Sequence, residues 1–323
     1  MLPKFKGENY FDACKTGAQA AADALGVELL YDGPTQDQAT NQMQVDILEG
    51  WINQGVDAIC VSPNDATAIA ATLKKASAAG IKVITFDADS EIDARAYHCQ
   101  QVTAEGVAKG CLDALANDLS SKGYGPEAPA NIALLGSSGT DANQNAWIAG
   151  IQALLATDEY SWLVIKNEAT DIIHPGTDET KVNEAAATLI GRMGEGEDKI
   201  QGVAALSSMA GPAMGAQFEA AAVKPDPAKV SITGVATPNG LKTYIKDETN
   251  AVASGVLWNC MDLGYMTISV ANMLVTGDLA EGATSVTYTQ DGTELTKEIS
   301  PEGYICLGDA LVFDVNNVDD YNY

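Results

Sequence analysis

Apolar and polar positions alternate in blocks along this chain, a short β-favouring run followed by a stretch of helical period, and the blocks recur. Phe11, Cys14, Ala18, Ala21, Ala22 and Leu25 lie at helical spacing and stop at Gly26, a residue suited to the left-handed turn that ends a helix. Residues 27–31 then read as a strand and Asp32-Gly33-Pro34 as a turn. Met43, Ile47, Trp51 and Ile52 mark a second helix ending at Gly55, residues 57–61 a strand, and Ser62-Pro63-Asn64-Asp65 the cap of a third helix that points Ile69 and Leu73 inward and stops at Gly80. The strand at 82–86 follows. After a break at 94–99, which has no helical period, a second series begins: helices at 104–119, 141–155, 178–193 and 212–222 alternate with strands at 131–136, 162–166, 202–206 and 231–236. Each unit takes about 25 to 30 residues, the size of a βα repeat, which predicts an α/β fold of parallel sheets covered by helices on both faces.

The remainder is one more unit and a strand-rich tail. A short helix at 238–245, a strand at 251–258 and a helix at 261–275 are too little for a domain and must join an existing sheet. Strands are expected at 286–289, 295–299 and 304–312, the first two flanking the Asp291-Gly292 hairpin signal, and the acidic end at 315–323 reads as a surface turn of helix. A doubly wound domain starts with a complete apolar strand, and Met1-Leu2 is only the end of one, so further residues are expected upstream.

One strand end carries chemistry. Val83, Ile84, Thr85 and Phe86 make a buried central strand, and Asp87 and Asp89 follow where that burial ends. In open α/β sheets the crevice outside the carboxyl ends of the strands is where ligands bind, so the two acids are expected to floor a small-molecule site. Asp89-Ser90 reads equally well as a turn or cap.

Composition narrows the classes. The chain has 323 residues, 46% of them hydrophobic, a length more natural for two domains than for one. Its 44 acids against 18 bases give a net charge of −26, which repels nucleic acid and anionic membrane, and no basic patch offsets it. No apolar run reaches the length of a membrane span, and no signal-peptide core follows Met1. The six cysteines form no CxxC pair and no metal-ligand spacing; Cys14, Cys60 and Cys111 fall on apolar faces, as small hydrophobes do. Neither a metal nor a cofactor is expected. Only His98 and His174 could serve as imidazole bases, Ser137-Ser138-Gly139 lacks the nucleophile-elbow pattern, and no phosphate-binding glycine loop follows a strand, so an enzyme is not expected.

Pro3-Lys4, Gly17-Ala18-Gln19, Tyr31-Asp32-Gly33-Pro34-Thr35, Asn53-Gln54-Gly55-Val56-Asp57-Ala58-Ile59, Phe86-Asp87-Ala88-Asp89, Asn143-Gln144-Asn145-Ala146-Trp147, Thr237-Pro238-Asn239 and Leu257-Trp258-Asn259 occur in this order over nearly the whole chain. In order and content they resemble the class I periplasmic sugar-binding proteins, nearest the branch that binds autoinducer-2 or rhamnose. The resemblance implies two Rossmann-like lobes of the type I periplasmic binding protein fold, joined by a three-segment hinge near residues 102, 237 and 276. Residues 1–102 with 238–276 would form one lobe and 103–237 with 277–323 the other. It further implies a monomer outside the cytoplasm, in a periplasm or held at the cell surface by an N-terminal lipid anchor, that encloses a small ligand between its lobes and delivers it to the membrane permease of an ABC transporter.

By the same resemblance Lys4, Asp87, Asn143 and Gln144 fall where autoinducer-2 binders have a lysine, an aspartate and an Asp-Gln pair. Asn143 replaces the acid, and Ser207-Ser208-Met209 stands in place of a Pro-x-Ala, with Met209 reshaping the pocket. These departures favour an ordinary sugar or polyol over autoinducer-2 itself. The residue types suit that ligand: Asp87 and Asp89 accept from hydroxyls, Lys4 donates, the amides of Asn143 and Gln144 do both, and Ser207 and Met209 line the other lobe. Tyr10, Phe11 and Trp258, with Asn259 beside it, can cover the apolar face of a sugar. Asn143 reads equally as a helix cap and Phe11 better as core; Lys4 could be a solvated lysine, but its place after a strand and the resemblance favour binding. The rival of a different class is the effector domain of a sugar-responsive repressor, which would need a basic helix-turn-helix ahead of residue 1 and is opposed by the acidity.

Overall fold

The computed structural model describes residues 1–35, 40–280 and 282–323. They form two compact units, one of residues 1–103 and 258–309, the other of residues 104–257 and 310–323.

In the first unit, α1 (Asn9–Leu25), α2 (Asn41–Gln54), β1 (Ala58–Val61), α3 (Ala70–Ala78), β2 (Lys82–Phe86) and β3 (Tyr97–Gln100) follow in sequence order. Strands β1, β2 and β3 are parallel neighbours, with Cys60 opposite Ile84 and Thr85 opposite His98. β2 is central and buried from Val83 to Phe86, as its unbroken apolar run requires. α1 and α2 end on Gly26 and Gly55, both left-handed. The core gathers Leu2, Leu48, Ile59, Val61, Ile69, Leu73 and Val83.

The second unit runs through α4 (Ala104–Ser121), β4 (Ala130–Leu135), α5 (Ala142–Leu155), β5 (Leu163–Val164), α6 (Glu168–Asp171), β6 (Ile172–Ile173), α7 (Glu179–Arg192), β7 (Gly202–Ala205), α8 (Ala210–Ala220), β8 (Ser231–Gly234), α9 (Pro238–Ile245) and β9 (Ser254–Leu257). Its parallel sheet has the order β5-β4-β7-β8, with β6 also on β4. The chain then returns to the first unit with α10 (Cys260–Thr276), the hairpin β10 (Ser285–Gln290) and β11 (Thr293–Glu298), and β12 (Tyr304–Cys306), which adds to β3 in parallel. β13 (Leu311–Asp314) closes the second unit against β9.

Four expectations change. The break expected at 94–99 leads into β3, Tyr97–Gln100, whose four residues are too few for their alternation to stand out; its neighbours β2 and β12 supply the ladder. The single strand expected at 304–312 is two, β12 and β13, one in each unit. Residues 27–31 are in no ladder among the described residues, although the Met1 amine donates to the Leu30 carbonyl at 2.6 Å and Lys6 bridges Thr35. Finally, the chain changes unit after Thr103, Leu257 and Asp309, where 102, 237 and 276 were expected. Backbone pairing explains the shift: Val252 and Val256 bridge Ile232 and Val235, holding residues 238–257 to the second sheet, while β12 needs the open edge of β3.

Candidate functional site

At the carboxyl end of β2 the backbone turns abruptly. Asp87 has φ +61°, in the left-handed region that a non-glycine residue enters at a cost of about 1–3 kcal/mol. Strain of this kind persists only where surrounding contacts over-determine it, and the contacts here are on the carboxylate. It is 5% exposed. Tyr10 donates its hydroxyl to Oδ1 at 2.9 Å, Ser62 donates to Oδ2 at 2.7 Å, and the Lys4 ammonium lies 3.4 Å from Oδ2. Hydrogen bonds to an ionised group contribute about 1.5–3 kcal/mol each, enough to hold a strained residue. The Trp258 indole N–H donates in turn to the Tyr10 oxygen at 3.1 Å, and its ring meets Tyr10 edge-on at 5.7 Å. Burial, followed by the neighbouring Asp87 charge, pushes the Tyr10 phenol well above its ordinary pKa, so it stays a donor.

Each group arrives from a different element. Tyr10 opens α1, Ser62 directly follows β1, and Trp258 is the residue next to β9 in sequence. Lys4 and Ser62 are held by a buried side chain that no motif marks: the Gln44 amide donates to the carbonyls of Pro3 at 3.0 Å and Ser62 at 2.8 Å, and accepts from Asn64 N–H at 2.9 Å. The Asn64 amide then donates to the Lys4 carbonyl at 3.0 Å. Ser62 reads in the sequence as a cap for the next helix; in the structure Asp65 turns that segment, accepting from the N–H groups of Thr67 and Ala68. The signal that could have found Ser62 is the rule that found Asp87, since both stand at the carboxyl ends of adjacent parallel strands.

Asp89 does not join this group. Arg95 donates to it through Nε at 3.0 Å and Nη2 at 2.7 Å, and Thr85 at 2.5 Å. Burial pushes its carboxyl up, but the Arg95, His98 and Thr85 partners outweigh that and hold it below its usual value. The Arg95 guanidinium lies 4.9 Å over the Tyr304 ring, so the carboxylate expected to be a second ligand acceptor ties β2 and β3 to β12 instead. Phe11 is 3% exposed among Phe5, Tyr10 and Phe86, which makes it core. Asn259 caps α10, its Oδ1 accepting from Met261 and Asp262.

In the second unit the residues expected at the site stand at the starts of two helices and after one strand. Gln144 is buried in the first turn of α5; its Oε1 accepts from Ser137 N–H at 2.6 Å and its Nε2 donates to Ser137 Oγ at 2.7 Å. Gly136 makes this possible, because a Cβ there would lie 2.7 Å from Gln144 Oε1. The cap of α5 is Asp141, which accepts from Gln144 N–H, so the half-buried Asn143 is not the cap. Ser207 follows β7, and its Oγ accepts from Ala210 N–H at 3.1 Å while keeping its proton to donate; Met209, half-buried, immediately precedes α8.

A cavity of about 400 Å³ elsewhere in the first unit, lined by Leu29, Leu30, Trp51, Ala58, Ala271 and Val275 among others, lies at the amino end of β1, the opposite end from Ser62. No group of three or more His, Cys, Asp or Glu among the described residues could hold a metal ion. Cys14, Cys60, Cys99, Cys111 and Cys260 are buried free thiols, and burial pushes Cys60 up to about 11 and Cys111 up to about 12, which makes them poor nucleophiles.

Parallel sheets with helical crossovers in both units, and polar side chains gathered at the carboxyl ends of the strands, define a doubly wound α/β protein of the ligand-binding kind. The chain belongs to the periplasmic binding protein domain family, whose model matches residues 1–279. It is similar in structure to LsrB from Clostridium saccharobutylicum in complex with AI-2, with a TM-score of 0.88 and 23% identity over 100% of this chain and 98% of that one. An ABC transporter solute binding protein from Clostridium phytofermentas with bound L-rhamnose superposes with a TM-score of 0.84 and 22% identity, over 99% and 96% of the two chains. At these identities the likeness shows the type I periplasmic binding protein fold. The ribose import binding protein RbsB of Bacillus subtilis (strain 168) is 30% identical over 82 residues, 25% of this chain and 26% of that protein, so the match spans about a quarter of the relative's length. No helix among the described residues is long and apolar enough to cross a membrane.

Proposed function

We propose that this protein is the extracytoplasmic solute-binding component of an ABC transporter, taking up one small neutral sugar or polyol and handing it unchanged to a membrane permease. The observation that carries the reading is Asp87: a buried, strained carboxylate with a fixed donor on each oxygen and an ammonium beside it. A carboxylate accepts at two oxygens with more than one lone pair each, so it suits a ligand whose hydroxyls both donate and accept. Lys4 donates to the same ligand, and the Tyr10–Trp258 pair offers aromatic surface for its C–H groups. Asn143 and Gln144 carry amides, Ser207 a hydroxyl and Met209 an apolar side chain, the kinds of group that the same ligand class takes. Asp89, Phe11 and Asn259 support this arrangement from behind.

The sugar and AI-2 complexes of the similar structures support the ligand class, and the family supports the location and the permease partner. Asn143 and Met209 favour a sugar over AI-2, and the net charge of −26 favours transport over a role on DNA. Calorimetry with D-ribose, L-rhamnose, other pentoses and hexoses, polyols and AI-2 tests the reading. One ligand per monomer, recovered unchanged, is the expected result. Tightest binding of AI-2 would move the ligand assignment, and conversion of any ligand to product would overturn the binding-protein assignment.

A further inference from the structure

We propose that Ser62 and Tyr10 are positioning residues for Asp87: their two hydroxyl protons, aimed one at each carboxylate oxygen, hold that carboxylate as a pre-oriented acceptor for a ligand hydroxyl. The inference rests on the reading of Asp87 as a ligand acceptor. It goes beyond that reading by assigning the affinity of the site to two groups on other elements. Ser62 is fully buried and Tyr10 is 6% exposed, so neither is a surface hydroxyl free to turn toward water.

The direction of each bond is forced. A hydroxyl has one proton, and an oxygen that is already receiving a hydrogen bond directs that proton elsewhere. The Tyr10 oxygen receives the Trp258 indole N–H at 3.1 Å, so its proton serves Asp87 Oδ1 at 2.9 Å. Ser62 Oγ receives the Ala88 N–H at 3.4 Å, so its proton serves Oδ2 at 2.7 Å. Donors on different oxygens, delivered by α1 and by the end of β1, resist rotation of the carboxylate plane. The left-handed backbone at Asp87 removes the other means of adjustment, because φ +61° is a narrow well for a residue with a side chain. The group therefore waits in one orientation, and a ligand spends none of its binding free energy arranging it.

The same chain determines what the site rejects. With both neighbouring protons directed at it, Asp87 can only accept, so a ligand bearing a carbonyl or ether oxygen where the sugar has a hydroxyl would face it as a second acceptor. Selectivity for the hydroxyl then depends on Ser62 and Tyr10 although neither of their hydroxyls need touch the ligand.

Titration calorimetry with D-ribose and L-rhamnose, using whichever binds the unaltered protein more tightly, tests the inference. Tyr10→Phe and Ser62→Ala should each weaken binding about ten-fold or more, as loss of a hydrogen bond to a charged group predicts. Ser62→Thr, which keeps the hydroxyl, should return affinity to within about three-fold, a rescue that a packing role for the small side chain would not produce. Tyr10→Phe keeps the ring and serves if the Ser62 variants fail to fold. Binding by Tyr10→Phe within about two-fold of the unaltered protein, or Ser62→Thr as weak as Ser62→Ala, overturns the inference. Asp87→Asn separates the two levels. If it loses binding while Ser62→Ala and Tyr10→Phe keep it, the positioning role alone is wrong. If it retains binding, or if no pentose, hexose, polyol or AI-2 binds the unaltered protein, the reading of Asp87 is wrong and the positioning role with it.

Discussion

Asp87 and Asp89 are two residues apart and differ in what surrounds each. Asp87 is held by two hydroxyls and faces an ammonium at 3.4 Å, while Asp89 is clamped by both arms of a guanidinium. Asp87→Ala should therefore weaken sugar binding by at least about a hundred-fold while far-UV circular dichroism keeps its native form, since the strands on either side are buried independently of it. His98 supplies a prediction about acidity. Burial lowers its pKa from 6.5 to about 4, outweighing the attraction of Asp89. Between those values the unfolded chain binds a proton that the folded chain refuses, so this contribution is complete above about pH 6.5 and is lost as pH falls toward 4, by on the order of 3 kcal/mol. Asp89, held below its ordinary 3.8, titrates under that window. Urea unfolding midpoints of the unaltered protein should fall through the window, and His98→Gln should flatten the fall. Equal slopes in the two proteins would remove His98 as the cause.

Among the elements, the α1–α10 pair is the most demanding. A Cβ on Gly17 would lie 1.8 Å from the Met261 carbonyl oxygen, and one on Gly264 would lie 1.9 Å from that of Cys14. The contacts are with backbone, which cannot swing aside, so Gly17→Ala or Gly264→Ala should cost at least the upper end of the roughly 1–3 kcal/mol typical of overpacking. Gly50, in α2, has no neighbour within 4 Å of its Cβ position, and Gly50→Ala should instead stabilise by about 0.5–1 kcal/mol. Chemical denaturation of the three variants checks both signs. The pair matters for the site because α1 carries Tyr10 and α10 begins two residues after Trp258. In the sequence these glycines look like ordinary helix-weakening residues; only the helix–helix approach distinguishes Gly17 and Gly264 from Gly50. The Asp291-Gly292 turn was legible beforehand, because both residues take positive φ, +51° and +78°, for a purely local reason.

For the whole molecule, the proposed sugar site is tested by one substitution in each unit. Asp87→Ala and Gln144→Ala are each expected to abolish or strongly weaken sugar binding, with an unfolding midpoint near that of the unaltered protein; a variant that binds normally removes that residue from the site. Sugar at a hundred times its dissociation constant should raise stability by about 2.7 kcal/mol, read as a concentration-dependent rise in melting temperature that Asp87→Ala abolishes.

Alternating apolar runs and helical periods determined the βα units, because burial against a sheet imposes period 2 or 3.6 on any chain that achieves it. The same patterns marked the Asp87 strand end. Which unit each late element joins was decided by the tertiary structure: β9, β12 and β13 are short, and their hydrogen-bonding partners lie far away in sequence, where no local period can register them. Tertiary structure also divided the roles of the polar groups. Asp89 became a partner of Arg95, Asn259 a cap, and Ser62 a donor to Asp87, since a carboxylate or hydroxyl takes its role from what folding brings within three ångströms of it.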